Sequence, residues 1–153
     1  MKRLLILFIV FTASVCSLYS QNKTIKGRVL SEHLDILTGT SIMINDTVEV
    51  GRVDMNGFFQ IDIPISKKRI TFRFLGVEPT TIELVDDCNI EVVLMLSSTY
   101  DFISPRRVDR KRKKRYKKLP EIHKQAFEKG IFETENACYK REFESLYLSD
   151  RER

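Results

Sequence analysis

Histidine is scarce in this chain of 153 residues: only His33 and His123 carry an imidazole. They are far apart, and neither has a glutamate at the spacing a zinc-protease helix needs. A four-ligand set of His33, Cys88, His123 and Cys138 has suitable atoms but no ligand spacing to support it. Gly-x-Ser-x-Gly, phosphate-loop and dinucleotide fingerprints are all missing. The acidic residues fall in turns or alternate outward on β-runs, as solvated groups do. With no assembled nucleophile, general base or cofactor cradle, the sequence predicts a protein that is not an enzyme and takes no cofactor or metal.

Long hydrophobic runs are missing too. A transmembrane helix needs roughly 20 apolar residues, and Leu4 to Val15, broken by Thr12, Ala13 and Ser14, falls short. That run follows the basic start Met1-Lys2-Arg3 and precedes small residues at Ser17 and Ser20, the layout of a secretory signal over 1–20. Cleavage after Ser20 would leave Gln21 first; cleavage after Ser17 stays open. Ala13-Ser14-Val15-Cys16 matches a lipobox poorly, with Val15 where a small residue is expected, so Cys16 should leave with the signal. The expected destination is the periplasm or cell envelope.

Of the three cysteines, export would retain Cys88 and Cys138, an even pair in a disulfide-permissive compartment. Two readings stay open. The pair bridges the β-rich and C-terminal regions, a closure valued at roughly 4 kcal/mol, or both remain thiols, one at a strand end and one on a helix.

What is present is alternation. Ile25, Gly27 and Val29 share one face of a first β-run, and Ile42 and Ile44 one face of a second. Val48, Val50 and Val53 suggest a third, kinked at Gly51. Phe59, Ile61 and Ile63 alternate with Phe58, Gln60 and Asp62 until Pro64. Ile70, Phe72 and Phe74 mark a fifth, Ile82 and Leu84 a sixth, and Ile90, Val92, Leu94 and Leu96 a seventh. Seven short strands with one apolar face each predict an all-β fold, a seven-stranded antiparallel β-sandwich. Asp54-Met55-Asn56-Gly57 begins like a calcium loop, but Phe58, Phe59 and Gln60 follow where further oxygen ligands are needed. It reads instead as a hairpin in which Asn56 and Gly57 supply positive φ.

Ile25-Lys26-Gly27-Arg28-Val29, Gly39-Thr40-Ser41-Ile42, Asp54 to Ile61 and Ile70 to Val77 together resemble the carboxypeptidase regulatory-like domain. The resemblance covers about half the chain, 23–97. It departs from the family at Gly76-Val77-Glu78, where an aromatic usually follows the glycine, and in the longer segment from Ser31 to Thr38. It implies a prealbumin-like β-sandwich and a non-catalytic accessory module. Such modules are common in exported proteins of the Bacteroidetes, often at the N-terminus of TonB-dependent outer-membrane receptors.

Charge divides the chain. Residues 23–97 carry a net −3, whereas 98–153 carry a net +6. Ten of the thirteen residues from Arg106 to Lys118 are basic. Arg106, Arg107, Arg110, Lys111, Arg112, Lys113, Lys114, Arg115, Lys117 and Lys118 form a candidate contact surface on a basic linker, 98–119. Like charges favour extended or locally helical, solvated chain there. An envelope protein or an anionic membrane surface suits such a run. Nucleic acid suits it poorly, because export and the lack of interleaved aromatics argue against it.

Beyond it, 120–153 reads as an amphipathic helical tail. Pro120 and Glu121 start a helix well, with Ile122, Ala126, Phe127 and Ile131 near one face and Gly130 able to end it. Cys138, Tyr139, Phe143, Leu146 and Tyr147 form a second helical stripe. Ile122, Phe127, Ile131, Phe143, Leu146 and Tyr147 are thus a candidate docking face for a partner, with packing on the sandwich as the alternative. The expected function is a non-catalytic binding or adaptor module at the bacterial envelope. Two variants are an accessory component of an outer-membrane transporter or secretion assembly, and a structural protein held on anionic lipid by its basic run.

Overall fold

The computed structural model describes residues 22–85 and 88–145. The signal reading over 1–20 with Cys16, and the docking residues Leu146 and Tyr147, lie outside the described residues. Eight strands are present among the described residues: β1 (Asn22–Ser31), β2 (Ser41–Ile44), β3 (Val48–Arg52), β4 (Phe58–Pro64), β5 (Arg69–Arg73), β6 (Thr80–Leu84), β7 (Ile90–Leu94) and β8 (Tyr139–Lys140). Between β7 and β8 lie two helices, α1 (Pro105–Tyr116) and α2 (Leu119–Glu128).

The strands form two sheets, ordered β4-β1-β7 and β3-β2-β5-β6-β8. Alternating residues from both meet in one core: Ile25, Val29, Ile42, Phe59, Ile61, Ile63, Ile70, Phe72, Ile82, Ile90, Val92 and Leu94. Phe59 and Phe72 meet edge to face across it, with ring centroids 5.7 Å apart. Each half-buried strand hides one face because the other meets water.

Three expectations are corrected here. An eighth strand exists, and the sheets are not purely antiparallel: β1 pairs β7 in parallel, with Gly27 opposite Ile90 and Val29 opposite Val92. Asp54 to Gly57 is likewise not a hairpin within one sheet. The strands either side of it, β3 and β4, belong to different sheets, so this tight turn carries the chain across the sandwich. The Asp54 carboxylate accepts the Asn56 and Phe58 amides, both at 2.8 Å. Only Gly57 of the pair takes a positive φ, at +85°.

The parallel pairing explains a glycine. A Cβ on Gly27 would stand 1.9 Å from the Ile90 carbonyl oxygen and 2.8 Å from a Phe59 ring carbon. Gly27→Ala must therefore push β1 and β7 apart, and we expect a loss of about 2–3 kcal/mol in urea denaturation. A loss under about 0.5 kcal/mol, the usual surface range, would show that the ladder yields freely.

Alternation ends in the second half of β1. Val29, Leu30 and Ser31 are all buried, as is every residue of β7. The cause is a third layer: Leu119 and Ala126 of α2, with Phe132, cover Leu30, Val93 and Met95 on the back of the smaller sheet. The second helix expected around Cys138 to Tyr147 is corrected over its described part. Tyr139 and Lys140 pair with Leu84 and Glu83 as strand β8, and Cys138 is bonded to Cys88 as a disulfide.

Candidate functional site

Ten basic residues in thirteen repel one another, and a short isolated helix is marginal even without that burden. No acidic side chain sits in the first turn of α1 to offset Arg106 and Arg107, although Lys113, Lys114 and Arg115 do suit the dipole at its end. Pro105 supplies the preset φ for the first turn, and the Ser104 carbonyl accepts from Arg107 and Val108. Tertiary contacts on one side hold the helix.

Arg112 is the main pin. Its Nε and Nη2 donate to the two Glu78 carboxylate oxygens at 3.1 and 2.8 Å. Its Nη1 donates to Asp109 Oδ1 and to the Glu144 carbonyl, both at 3.0 Å, and the Phe143 ring lies 5.1 Å from the guanidinium. Ser145 donates its hydroxyl to the other Asp109 oxygen. Arginine, glutamate and aspartate side chains are only 5–7 % exposed. Burial alone would lower the Arg112 pKa, but the paired carboxylates raise it overall.

One turn on, Arg115 forks onto Glu32 and donates to Ser98 Oγ at 2.9 Å, Tyr100 Oη at 3.2 Å and the Leu96 carbonyl at 2.7 Å. The Glu32 hydrogen bond raises the Arg115 pKa most. Burial pushes Glu32 upward, yet the bonds from Arg115 and the Leu96 amide leave it below 4.5.

Arg112 and Arg115 are therefore not contact-surface residues, which corrects the expectation for both. They are the inward anchors that β1, the Glu78 loop and Leu96 need. Arg106, Arg107, Arg110, Lys111, Lys113, Lys114, Lys117 and Lys118 are exposed. At about 100° per residue, those from Arg106 to Lys117 fall within an arc of roughly 160° opposite Val108 and Arg112. The only acid of the run, Asp109, is buried on the inner side. The outer side is thus a rigidly held cationic face.

The expected docking face is divided differently. Ile122 and Ile131 pack against the α2 layer, and Phe143 lies edge to face on Tyr116 at 5.6 Å. All three serve the fold: Ile122 and Ile131 because the sandwich back offers Leu30, Val93 and Met95 as their neighbours, and Phe143 because it meets the Tyr116 ring and the Arg112 guanidinium. Phe127 is 38 % exposed.

Several determinants were missed in the sequence. Buried Glu91 accepts from the Glu133 amide at 2.6 Å and from the Thr134 amide and hydroxyl at 3.0 and 2.6 Å, pinning the loop after α2. Arg28 donates to the Ile131 carbonyl at 2.6 Å and lies over the Phe58 ring, in a cleft of about 660 Å³ that also includes Gln60 and Glu133. Arg141 donates to the Val93 carbonyl and Thr80 Oγ1, and its deep burial lowers its pKa. A glutamate interrupting the apolar run Ile90–Leu94 was the one legible signal among them.

His123 is 2 % exposed. Its Nε2–H donates to the Thr134 carbonyl at 3.0 Å, since a carbonyl can only accept. Nδ1 is buried with no hydrogen-bond partner among the described residues. Burial lowers its pKa below 6.5, against opposing pulls from Thr134 and Glu91. The unfolded chain then takes up a proton near pH 6.5 that the folded chain refuses, so stability should decline as pH falls through that value. Glu32 acts separately: its depressed pKa gives stability that is lost only in the carboxylate range. His123→Gln should flatten the midpoint shift expected in urea titrations between about pH 7.5 and 5; an unchanged slope would refute the assignment.

Among the described residues, no three His, Cys, Asp or Glu side chains are grouped to hold a metal ion. Nor is any helix there long and apolar enough to cross a membrane. Comparison of the chain with family models, curated proteins and solved structures returns no match.

Proposed function

We propose that this chain is an exported, non-catalytic binding module of the bacterial cell envelope, an adaptor whose contact surface is the outer face of α1. The observation that carries this reading is the separation of roles within one basic run. Arg112 and Arg115 point inward to buried or half-buried carboxylates, while Arg107, Arg110, Lys111, Lys113 and Lys114 remain exposed on one side. A merely solubilising linker has no need of such anchoring. The secretory layout of 1–20 and the resemblance of 23–97 to the carboxypeptidase regulatory-like domain support the same reading. The two packed sheets are compatible with the prealbumin-like sandwich that this family implies. A narrower form is an accessory role in an outer-membrane transporter or secretion assembly.

Lysine-directed crosslinking in intact cells tests the proposal, with Lys111, Lys113, Lys114 and Lys117 as reporters. Crosslinks from these lysines to one envelope component are expected. Crosslinks confined to the chain's own sandwich, in a chain that also fails to fractionate with the envelope, would overturn it.

A further inference from the structure

Two apolar side chains on segments joined to α1 stand in water. Leu75 is 95 % exposed, and Phe102 is as exposed as a side chain in an extended peptide. Both belong to segments tied to α1. The amide of Ser97 donates to the carbonyl of Gly76, next to Leu75, at 2.8 Å. Arg115 then holds Ser98 and Tyr100, and the chain passes through Phe102 to enter α1 at Pro105. Phe102 also has φ +58°, a left-handed backbone that a bulky residue rarely adopts. An aromatic ring kept wholly in water on a strained backbone is costly on both counts, and such strain concentrates at sites of function.

We propose that the chain docks on an anionic phospholipid bilayer, with the outer face of α1 against the headgroups and Leu75 and Phe102 entering the interface beside it. This rests on the reading of α1 as the contact face. The argument for lipid over an acidic protein is the combination of features. A protein partner would be expected to bring discrete carboxylates to arginine forks, whereas here Arg112 and Arg115 turn theirs inward and lysines, which act as flexible point charges, outnumber the three arginines left outside. A diffuse anionic plane needs only long-range attraction, and apolar side chains that enter the interface add their buried area to that attraction.

The test is sedimentation of the protein, recovered from the exported fraction, with phosphatidylglycerol–phosphatidylcholine vesicles and with pure phosphatidylcholine vesicles. Binding to the anionic vesicles alone is expected. Arg107→Gln, Arg110→Gln and Lys114→Gln together should weaken it on the order of a hundredfold, at about fivefold per residue. Leu75→Ser with Phe102→Ser should weaken it on the order of tenfold and abolish the fraction that resists high salt. All five positions are exposed, so an unchanged thermal midpoint is expected and shows that each variant is folded.

No binding to anionic vesicles, equal binding to both kinds, or indifference to the three glutamines would overturn the lipid assignment. If cellular crosslinks from the α1 lysines to one protein persist in that case and vanish in the triple variant, the contact face stands and its partner is an acidic protein. If they too are absent, both readings fall.

Discussion

Arg112→Ala should destabilise the protein by about 3–5 kcal/mol, because it strips the counter-charge from two buried carboxylates. Glu78 and Asp109, 7 % and 5 % exposed, would both lose the guanidinium that they share. The bond from Arg112 to the Glu144 carbonyl would go as well. Arg112→Lys keeps the charge but loses the fork that satisfies both Glu78 oxygens, so its cost should be intermediate. The adjacent Lys111→Ala changes an exposed position on the same helix and should stay within about 0.5 kcal/mol. Adding Glu78→Gln and Asp109→Asn to Arg112→Ala should recover part of the loss, because neutral amides tolerate burial better than carboxylates deprived of that guanidinium. Urea denaturation of the series decides the matter. A cost below about 1 kcal/mol for Arg112→Ala would mean that α1 is held by Arg115 and Val108 instead. The cationic face would then be less rigidly presented.

The strands were legible because alternation is a local signal: Phe59, Ile61 and Ile63 announce a half-buried strand without reference to anything else. Where a strand is covered on both sides the signal fails, and its failure carries information. Leu30 and Val93 break the alternation of β1 and β7 because α2 lies over them, and the helix that covers them is encoded about a hundred residues from β1. The parallel pairing of β1 with β7 left no local trace except Gly27, whose meaning depends on the approach of Ile90. The crossing at Asp54 to Gly57 was read as a hairpin because its turn chemistry, an Asp side chain over two amides and a left-handed Gly, is shared by both topologies.

In the candidate site, the run of charge was plain but its division was not. Arg112 and Arg110 are alike in composition and local context. Glu78 and Asp109 make one an anchor, and Glu78 lies far back in the chain. Helical phase gives a faint hint, since Val108, Arg112 and Tyr116 recur every fourth residue along one side of α1. The stripe from Cys138 to Phe143 misled for a related reason. Its apolar residues do have helical spacing, but Cys138 is tethered to Cys88. Tyr139 is drawn to the edge of β6, and its burial there raises its pKa.

That tether should give the second large effect. Cys88→Ser with Cys138→Ser removes a closure across a separation of 50 residues, worth about 4 kcal/mol by chain entropy. The loss should not be spread evenly. β8 contributes only two residue pairs to its sheet, whereas α2 is packed through Leu119, His123 and Ala126. Hydrogen exchange should therefore accelerate first at Tyr139 and Lys140, with α2 protected until the whole fold opens. The same prediction separates stability from function. Arg112 and Arg115 reach Glu78 and Glu32 on the sandwich without passing through the disulfide. The double serine variant should lower the urea midpoint yet keep its affinity for anionic vesicles wherever it remains folded. Equal loss of both would mean that the segment from Glu133 to Ser145 presents the cationic face after all, through the Glu144 carbonyl and Ser145 at the foot of Arg112 and Asp109.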